Sequence, residues 1–295
     1  MRPADACRRR GDRLLTLGAV RPLRQLVAGV QAATVPILMY HAIADDVDDG
    51  VHPYLRTVTT PATFARHMAL LAARGTRVVG LMEARRLLRA APPTAGAPGQ
   101  AVVLTFDDGL RDFATSAWPI LQEFGFGATV FVATDFVGRD FLNGRPCLDA
   151  PQIRRLSSQG VEFGSHSASH RRLVELPRGE VLRELEDSRG VLQELLGRGV
   201  DLFSYPYRFP QEDRVFMANL ERLLAACGYD VGVTTVIGRA RARDAAWAWP
   251  RLPVNECDDA SLLSAKLDGH YDWLRTLQGA RKRLRAWMQP AGATP

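Results

Sequence analysis

Two clusters of ionisable residues in this 295-residue chain have the types and spacing to do chemistry. The first is Asp107-Asp108, which ends the apolar run Ala101-Val-Val-Leu-Thr-Phe106 and precedes Gly109. Two adjacent carboxylates behind a buried strand conflict, because like charges and burial both raise a carboxyl pKa. A cation beside them removes the conflict. Asp108-Gly109 is equally good turn chemistry, so the pair alone does not decide between the two roles. The second cluster is Gly164-Ser-His166-Ser-Ala-Ser-His170. Two of only six histidines lie four residues apart here, just after the strand-like Val161-Glu-Phe163. That spacing predicts both imidazoles on one face of a helical turn, a common way to bind a first-row metal.

Taken together, the clusters supply a mechanism. Two histidines and one carboxylate leave coordination positions open for water and substrate, which is the hydrolytic and not the closed structural arrangement. The remaining carboxylate is then free to act as general base.

The elements that must position these groups alternate along the chain. Strand-like runs at 35–40, 78–79, 101–106, 128–133, 161–163, 202–205 and 231–235 are separated by segments with helical spacing at 60–74, 81–90, 110–124, 150–159, 178–196 and 214–227. Thr60 before Pro61 is a good N-cap and first-turn pair. Such alternation predicts an α/β fold with parallel strands and outer helices, and working residues where strands end. His41 stands at one such end, after Val35-Pro-Ile-Leu-Met-Tyr40, ahead of an acidic loop over 45–50. Residues 91–100 are small residues and chain breakers, and predict a loop.

The motifs in this order resemble those of the polysaccharide deacetylase family, also called carbohydrate esterase family 4. The resemblance runs from about Val35 to Val254. It is carried by Leu38-Met-Tyr-His41, Thr105-Phe-Asp-Asp-Gly109, Pro119-Ile-Leu121, Ala128-Thr-Val-Phe131, His166-Ser-Ala-Ser-His170, Tyr205-Pro-Tyr207 and Arg251-Leu252. It implies a distorted, incomplete (β/α)7 barrel that removes acetyl groups from N-acetylated poly- or oligosaccharides, lipid-linked ones among them. It implies Asp107 as general base and Asp108, His166 and His170 as ligands of a divalent metal. Zinc is the first choice, and the donor set also suits cobalt, nickel or iron. Tyr207 resembles the residue whose backbone N–H binds the oxyanion, and Arg251 the arginine that orients the catalytic aspartate. Tyr205, Pro206 and Arg208 fall at substrate-binding positions.

Two departures from the family pattern stand out. The usual general acid is a late histidine in a leucine-flanked motif, and the surroundings of His270 do not match it. His41 takes that role instead, an arrangement similar to deacetylases of biofilm poly-N-acetylglucosamine. Arg208 replaces the glycine that usually follows Tyr207, and no site-lining aromatic is evident near Leu148. An esterase acting on O-acetyl groups, or a non-catalytic saccharide-binding protein on the same fold, fits the same motifs.

Composition bounds the rest. A hydrophobic fraction of 46% with 24% charged residues is that of an ordinary globular protein. The net charge of +6 gathers at the ends, in Arg8, Arg9, Arg10 and Arg13 and in Arg281, Lys282, Arg283 and Arg285. No helix-turn-helix, zinc-finger or aromatic-basic pattern accompanies it, which excludes the familiar nucleic-acid modules. The four cysteines form no CxxC pair and are expected to be reduced thiols, mostly buried. Arg21 and Arg24 interrupt the only apolar run near the start, so neither a signal peptide nor a spanning helix is expected. These features predict a cytoplasmic protein, or one peripheral at the inner membrane surface. They divide the chain into a basic helical extension over 1–33, a catalytic domain over 34–256 and a helical tail over 257–295. That tail, with Trp273, Leu277, Leu284 and Trp287, is expected to pack on the barrel or to rest on an anionic bilayer.

Overall fold

The computed structural model describes residues 7–26, 33–46, 51–90 and 101–288, with side chains at 25–26 and 281–288 not included. The end of the acidic loop, the 91–100 loop, and the side chains of Arg281, Lys282, Arg283, Leu284, Arg285 and Trp287 therefore lie outside the described residues.

Among the described residues twelve strands form in chain order: β1 (Thr34–Val35), β2 (Ile37–Tyr40), β3 (Ala42–Ile43), β4 (Val58–Thr59), β5 (Arg77–Val78), β6 (Ala101–Phe106), β7 (Thr129–Val132), β8 (Glu162–Ser165), β9 (Leu202–Ser204), β10 (Val231–Ile237), β11 (Ala240–Arg241) and β12 (Trp249–Pro253). Seven of them run β2-β12-β10-β9-β8-β7-β6, and β6 pairs back onto β2, so the ring closes. Every ladder in the ring is parallel. The register slips between β10 and β12, which distorts the barrel there. Strands buried on both faces read as continuous apolar runs, and β2 and β7 are buried at every residue.

Alternation along the strands divides the core. Ile37, Val103, Phe131, Leu202, Val231 and Val233 form one cluster, closed by Leu81, Ala84 and Leu88 of the helix Leu81–Arg89. Their neighbours Leu38, Leu104, Val130 and Phe203 pack instead with Phe64, Leu121, Ile153 and Leu185 of the outer helices. Gly164 is required at its place, because a Cβ there would stand 2.6 Å from the Phe131 ring. The helices at Pro61 and Ala150 begin where the sequence predicts, whereas the one expected from residue 110 starts at Phe113. The Thr60 hydroxyl accepts from the Thr63 N–H at 3.2 Å, and Asp149 with Gln152 forms a capping box.

The ends of the chain correct two expectations. Cys7 and Cys257 form a disulfide across 250 residues of sequence, and only Cys147 and Cys227 are free. Dispersed spacing said nothing of this pair, because the fold alone brings the N-terminal helix against the loop after β12. The tail is also two helices, Ala260–Leu267 and Trp273–Met288, not one. Both ends lie on the barrel and on each other. Arg13 pairs with Asp259 at 2.7 Å, Trp273 Nε1 donates to Thr16 Oγ1 at 3.0 Å, and Gln278 accepts from the Ile237 N–H of β10 at 3.0 Å. Among the described residues, no helix is long and apolar enough to cross a membrane.

Candidate active site

Parallel strands deliver all their C-terminal ends to one rim, and the chemistry-bearing residues gather there. The register Tyr40↔Phe106 sets His41 and Asp107 side by side as the next residues of β2 and β6. Asp108 follows at φ 70° and Gly109 at φ 67°. Aspartate tolerates the left-handed region better than most residues, and glycine adopts it freely. The turn and the chemistry thus use the same residues, since the turn itself presents Asp108 to the rim.

Asp108 Oδ1 stands 3.5 Å from His166 Nε2 and 3.4 Å from His170 Nε2. One ligand atom from each of the three lies within 4.8 Å of the others, and all three residues are buried. The two distances are long for hydrogen bonds. They suit donors around one ion, since tetrahedral ligands at about 2.0–2.2 Å lie roughly 3.4 Å apart. His166 Nδ1 donates to the Ser204 carbonyl at 2.8 Å, which leaves Nε2 with its lone pair in the neutral ring. The donor set therefore fits a divalent cation.

The histidines do not share a helical turn as their spacing predicts. They lie in a loop after β8 in which Ser167 has φ 63° and His170 φ 56°. Two left-handed residues are incompatible with a right-handed helix, yet they bring the imidazoles together, with ring centroids 4.8 Å apart.

Asp107 is nearly sealed from solvent, and Arg251 grips it with both prongs, Nη1 to Oδ1 at 2.7 Å and Nη2 to Oδ2 at 2.7 Å. Arg251 is itself 1% exposed. Its remaining N–H groups reach the Thr234 carbonyl, Thr105 Oγ1 and Ser204 Oγ. Burial works to raise the Asp107 pKa, but the Arg251 charge and then His166 outweigh it and hold the carboxyl well below the usual range. Asp108 is also depressed: burial opposes ionisation, and the neighbouring histidines, His41 included, favour it. Burial and the His166 charge push His170 down to about 4, so its ring is neutral near pH 7. Burial would lower His166, but Asp107 and Asp108 raise it on balance. His41 is half-buried, and Asp107, Asp108 and His170 all lie within its electrostatic reach.

The Tyr205–Arg208 segment forms the neighbouring wall. The Tyr207 ring lies 4.7 Å from that of His170, and its backbone is left-handed at φ 57°. The Arg172 guanidinium sits 5.2 Å from the centre of the Tyr207 ring. Tyr205 is buried with its hydroxyl donated to the Trp247 carbonyl at 2.8 Å. Tyr205, Pro206, Tyr207 and Arg208 line a cavity of about 500 Å³. Arg208 is ion-paired to Glu212 and also borders a second cavity of about 920 Å³, walled by Leu15, Tyr54, Leu55 and Trp273.

Three residues here were missed as site residues in the sequence. Phe141 packs its ring 5.0 Å from His170, from a loop without regular structure. Ser204 touches both Asp107 and Arg251. Glu184, far off in a helix, binds the loop between the histidines. Of these, Ser204 alone had a usable cue, a hydroxyl at the end of an apolar strand.

A parallel barrel that sets an Asp-His-His donor group beside an arginine-bound carboxylate has the parts that metal-assisted hydrolysis requires. Residues 94–232 match the family model described as polysaccharide deacetylase. It is 27% identical over 239 residues to YxkH of Bacillus subtilis, named for the same family, across 80% of this chain and 77% of that one. A poly-beta-1,6-N-acetyl-D-glucosamine N-deacetylase of Staphylococcus aureus is 21% identical over 127 residues, which cover 40% of this chain and 44% of that protein. The fold is shared with the Streptococcus pyogenes deacetylase PplD, solved in complex with acetate. The TM-score is 0.68 at 24% identity, over 80% of this chain and 99% of that one. It is shared likewise with IcaB from Ammonifex degensii, with a TM-score of 0.67 at 22% identity, over 82% and 100% of the two chains.

Proposed function

We propose that this protein hydrolyses acetamido groups on N-acetylated saccharides, releasing acetate and a free amine, with a divalent cation held by Asp108, His166 and His170. The observation that carries the reading is the convergence of these three donors beside an Asp107 that Arg251 keeps ionised. Zinc is the first candidate, because two imidazoles and a carboxylate form a familiar open catalytic set for it. When bound, the cation supplies Lewis acidity, which activates water and polarises the acetyl carbonyl.

The protein's own groups do the rest. Asp107, anionic across the neutral range, accepts the proton of the attacking water. Arg251 holds that carboxylate in one orientation. The Tyr207 N–H donates to the oxygen on which negative charge develops. His41, beside Asp107 at the end of the neighbouring strand, protonates the departing amine, which is too poor a leaving group as an anion. Pro206 and Arg208 border the groove that takes the flanking saccharide.

The name of the Staphylococcus aureus relative supports N-acetylglucosamine polymers as the substrate class. The Cys7–Cys257 disulfide supports an oxidising compartment in place of the expected cytoplasm, since such bonds persist where thiols are not kept reduced.

The test is acetate release from N-acetylglucosamine oligomers after chelation and after zinc is restored, with free amine measured in parallel. Acetate and amine in equal amounts, lost with the chelator and regained with zinc, are expected. Acetate from O-acetylated polymer only, without amine, would replace the reading with an esterase. Saccharide binding without acetate would leave a non-catalytic protein.

A further inference from the structure

The two imidazole ligands are held in different ways. His166 is oriented through its own ring, by Nδ1–H to the Ser204 carbonyl. His170 Nδ1 finds no hydrogen-bond partner among the described residues. Ligating histidines almost always have their second nitrogen tied. The aim of His170 must therefore come from its backbone and from ring packing against Phe141 and Tyr207.

That backbone is unusual, with Ser167 and His170 both left-handed. Residues without a special need avoid this region, and a conformation of this kind persists only where neighbours enforce it. The enforcing group is the Glu184 carboxylate, in the helix Arg178–Leu196, whose side chain is 4% exposed. Its Oε2 accepts from the Ala168 N–H at 3.0 Å and the Ser169 N–H at 2.9 Å. Its Oε1 accepts from the Ser169 hydroxyl and from Arg171 at 3.2 and 3.3 Å. One helical turn further, Ser188 shares a hydrogen bond of 2.6 Å with Ser165 Oγ, which in turn accepts from the Ser167 N–H at 3.1 Å. Ser167 Oγ then accepts from the His170 N–H at 3.1 Å. The helix thus binds two of the three N–H groups between the histidines directly, through Glu184, and reaches the third through Ser188 and Ser165.

We propose that Glu184 is a positioning residue of the metal centre, fixing the 168–170 backbone so that His170 Nε2 points to the place shared by Asp108 and His166. This rests on the metal reading above. A carboxylate is needed because four donors converge on it. Glutamine at the same length offers one accepting oxygen and turns an N–H₂ group toward donors.

Zinc affinity of the full chain, by competition with a chromophoric chelator, tests the inference without reference to turnover. Glu184→Gln is expected to weaken zinc binding about 10–100-fold. In a His170→Ala background the same change is expected to weaken it no further, because the ligand through which Glu184 acts is gone. A Glu184→Gln protein that binds zinc as the parent does overturns the proposal, as does an equal loss in both backgrounds, which a merely structural staple would give. Should Glu184→Gln not fold, Ser169→Ala decides: it removes one bond to the carboxylate, and weaker zinc binding is expected, while unchanged binding overturns the proposal. A parent protein that binds no zinc refutes the metal reading instead, a result distinct from all of these.

Discussion

The guanidinium of Arg251 meets the carboxylate of Asp107 in two parallel contacts of 2.7 Å, with both partners almost fully buried. Removing one member of such a pair leaves a bare charge in a poorly solvated place. Arg251→Ala is expected to destabilise the protein by about 3–5 kcal/mol. Arg251→Lys keeps the charge but not the fork, and should fold better while still losing most activity. Denaturant titration and acetate release, run on both variants, check this. Equal stability of the alanine variant and the parent would refute it.

Zinc should stabilise the parent protein, since a ligand that binds only the folded state raises its stability, by roughly 2.7 kcal/mol at 100 times the dissociation constant. Asp108→Asn, His166→Ala and His170→Ala are each expected to reduce that thermal shift at a given zinc concentration and to lose activity. A shift undiminished in all three would place the ion elsewhere.

Asp112 lies close by, and burial pushes its pKa from 3.8 up to about 6 despite help from the Ile43 N–H and Arg145. Between those two values the folded state holds more protons than the unfolded one. Stability is therefore lost as pH rises through that window, and stays lost above it. Asp112→Asn is expected to be more stable than the parent near pH 7, by up to roughly 3 kcal/mol. The difference should vanish below about pH 4, where both carry a neutral group. Unfolding midpoints measured at the two pH values decide it.

The Cys7–Cys257 bond ties the N-terminal helix to the loop that follows β12. Cys257→Ser is expected to cost about 2–4 kcal/mol. The packing of Arg13 on Asp259 and of Trp273 on Thr16 should loosen first. Limited trypsin digestion should then cut at Arg10 or Arg13 in the variant, and not in the oxidised parent. Identical digestion patterns would show that these contacts hold the helix unaided.

The sequence made some of this legible and hid the rest for identifiable reasons. Asp107, Asp108 and His166 were readable because each sits within two residues of a buried strand's end, where apolar runs stop abruptly. Arg251 lies inside β12 and was legible through its motif, Trp249-Pro-Arg-Leu-Pro253. Parallel strands with outer helices followed from the alternation, and their closure into a barrel from the family resemblance. The loop shape around His170 was not readable, since a spacing of four fits a helical turn and an irregular loop equally well. Glu184 was hidden because nothing in the helix Arg178–Leu196 marks one glutamate among several as the one facing inward. The Cys7 and Cys257 pairing depends on how the chain ends cross, which no local pattern records.

The order of the barrel strands has a consequence for how the protein is made. The ring closes with β2 between β6 and β12, so the strand before His41 neighbours the strand that carries Arg251. A ribosome releases β2 and β6 before β12. Until then Asp107 has no counter-ion and one side of β2 has no neighbour. Sealing the last seam and giving Asp107 its arginine partner thus become a single event.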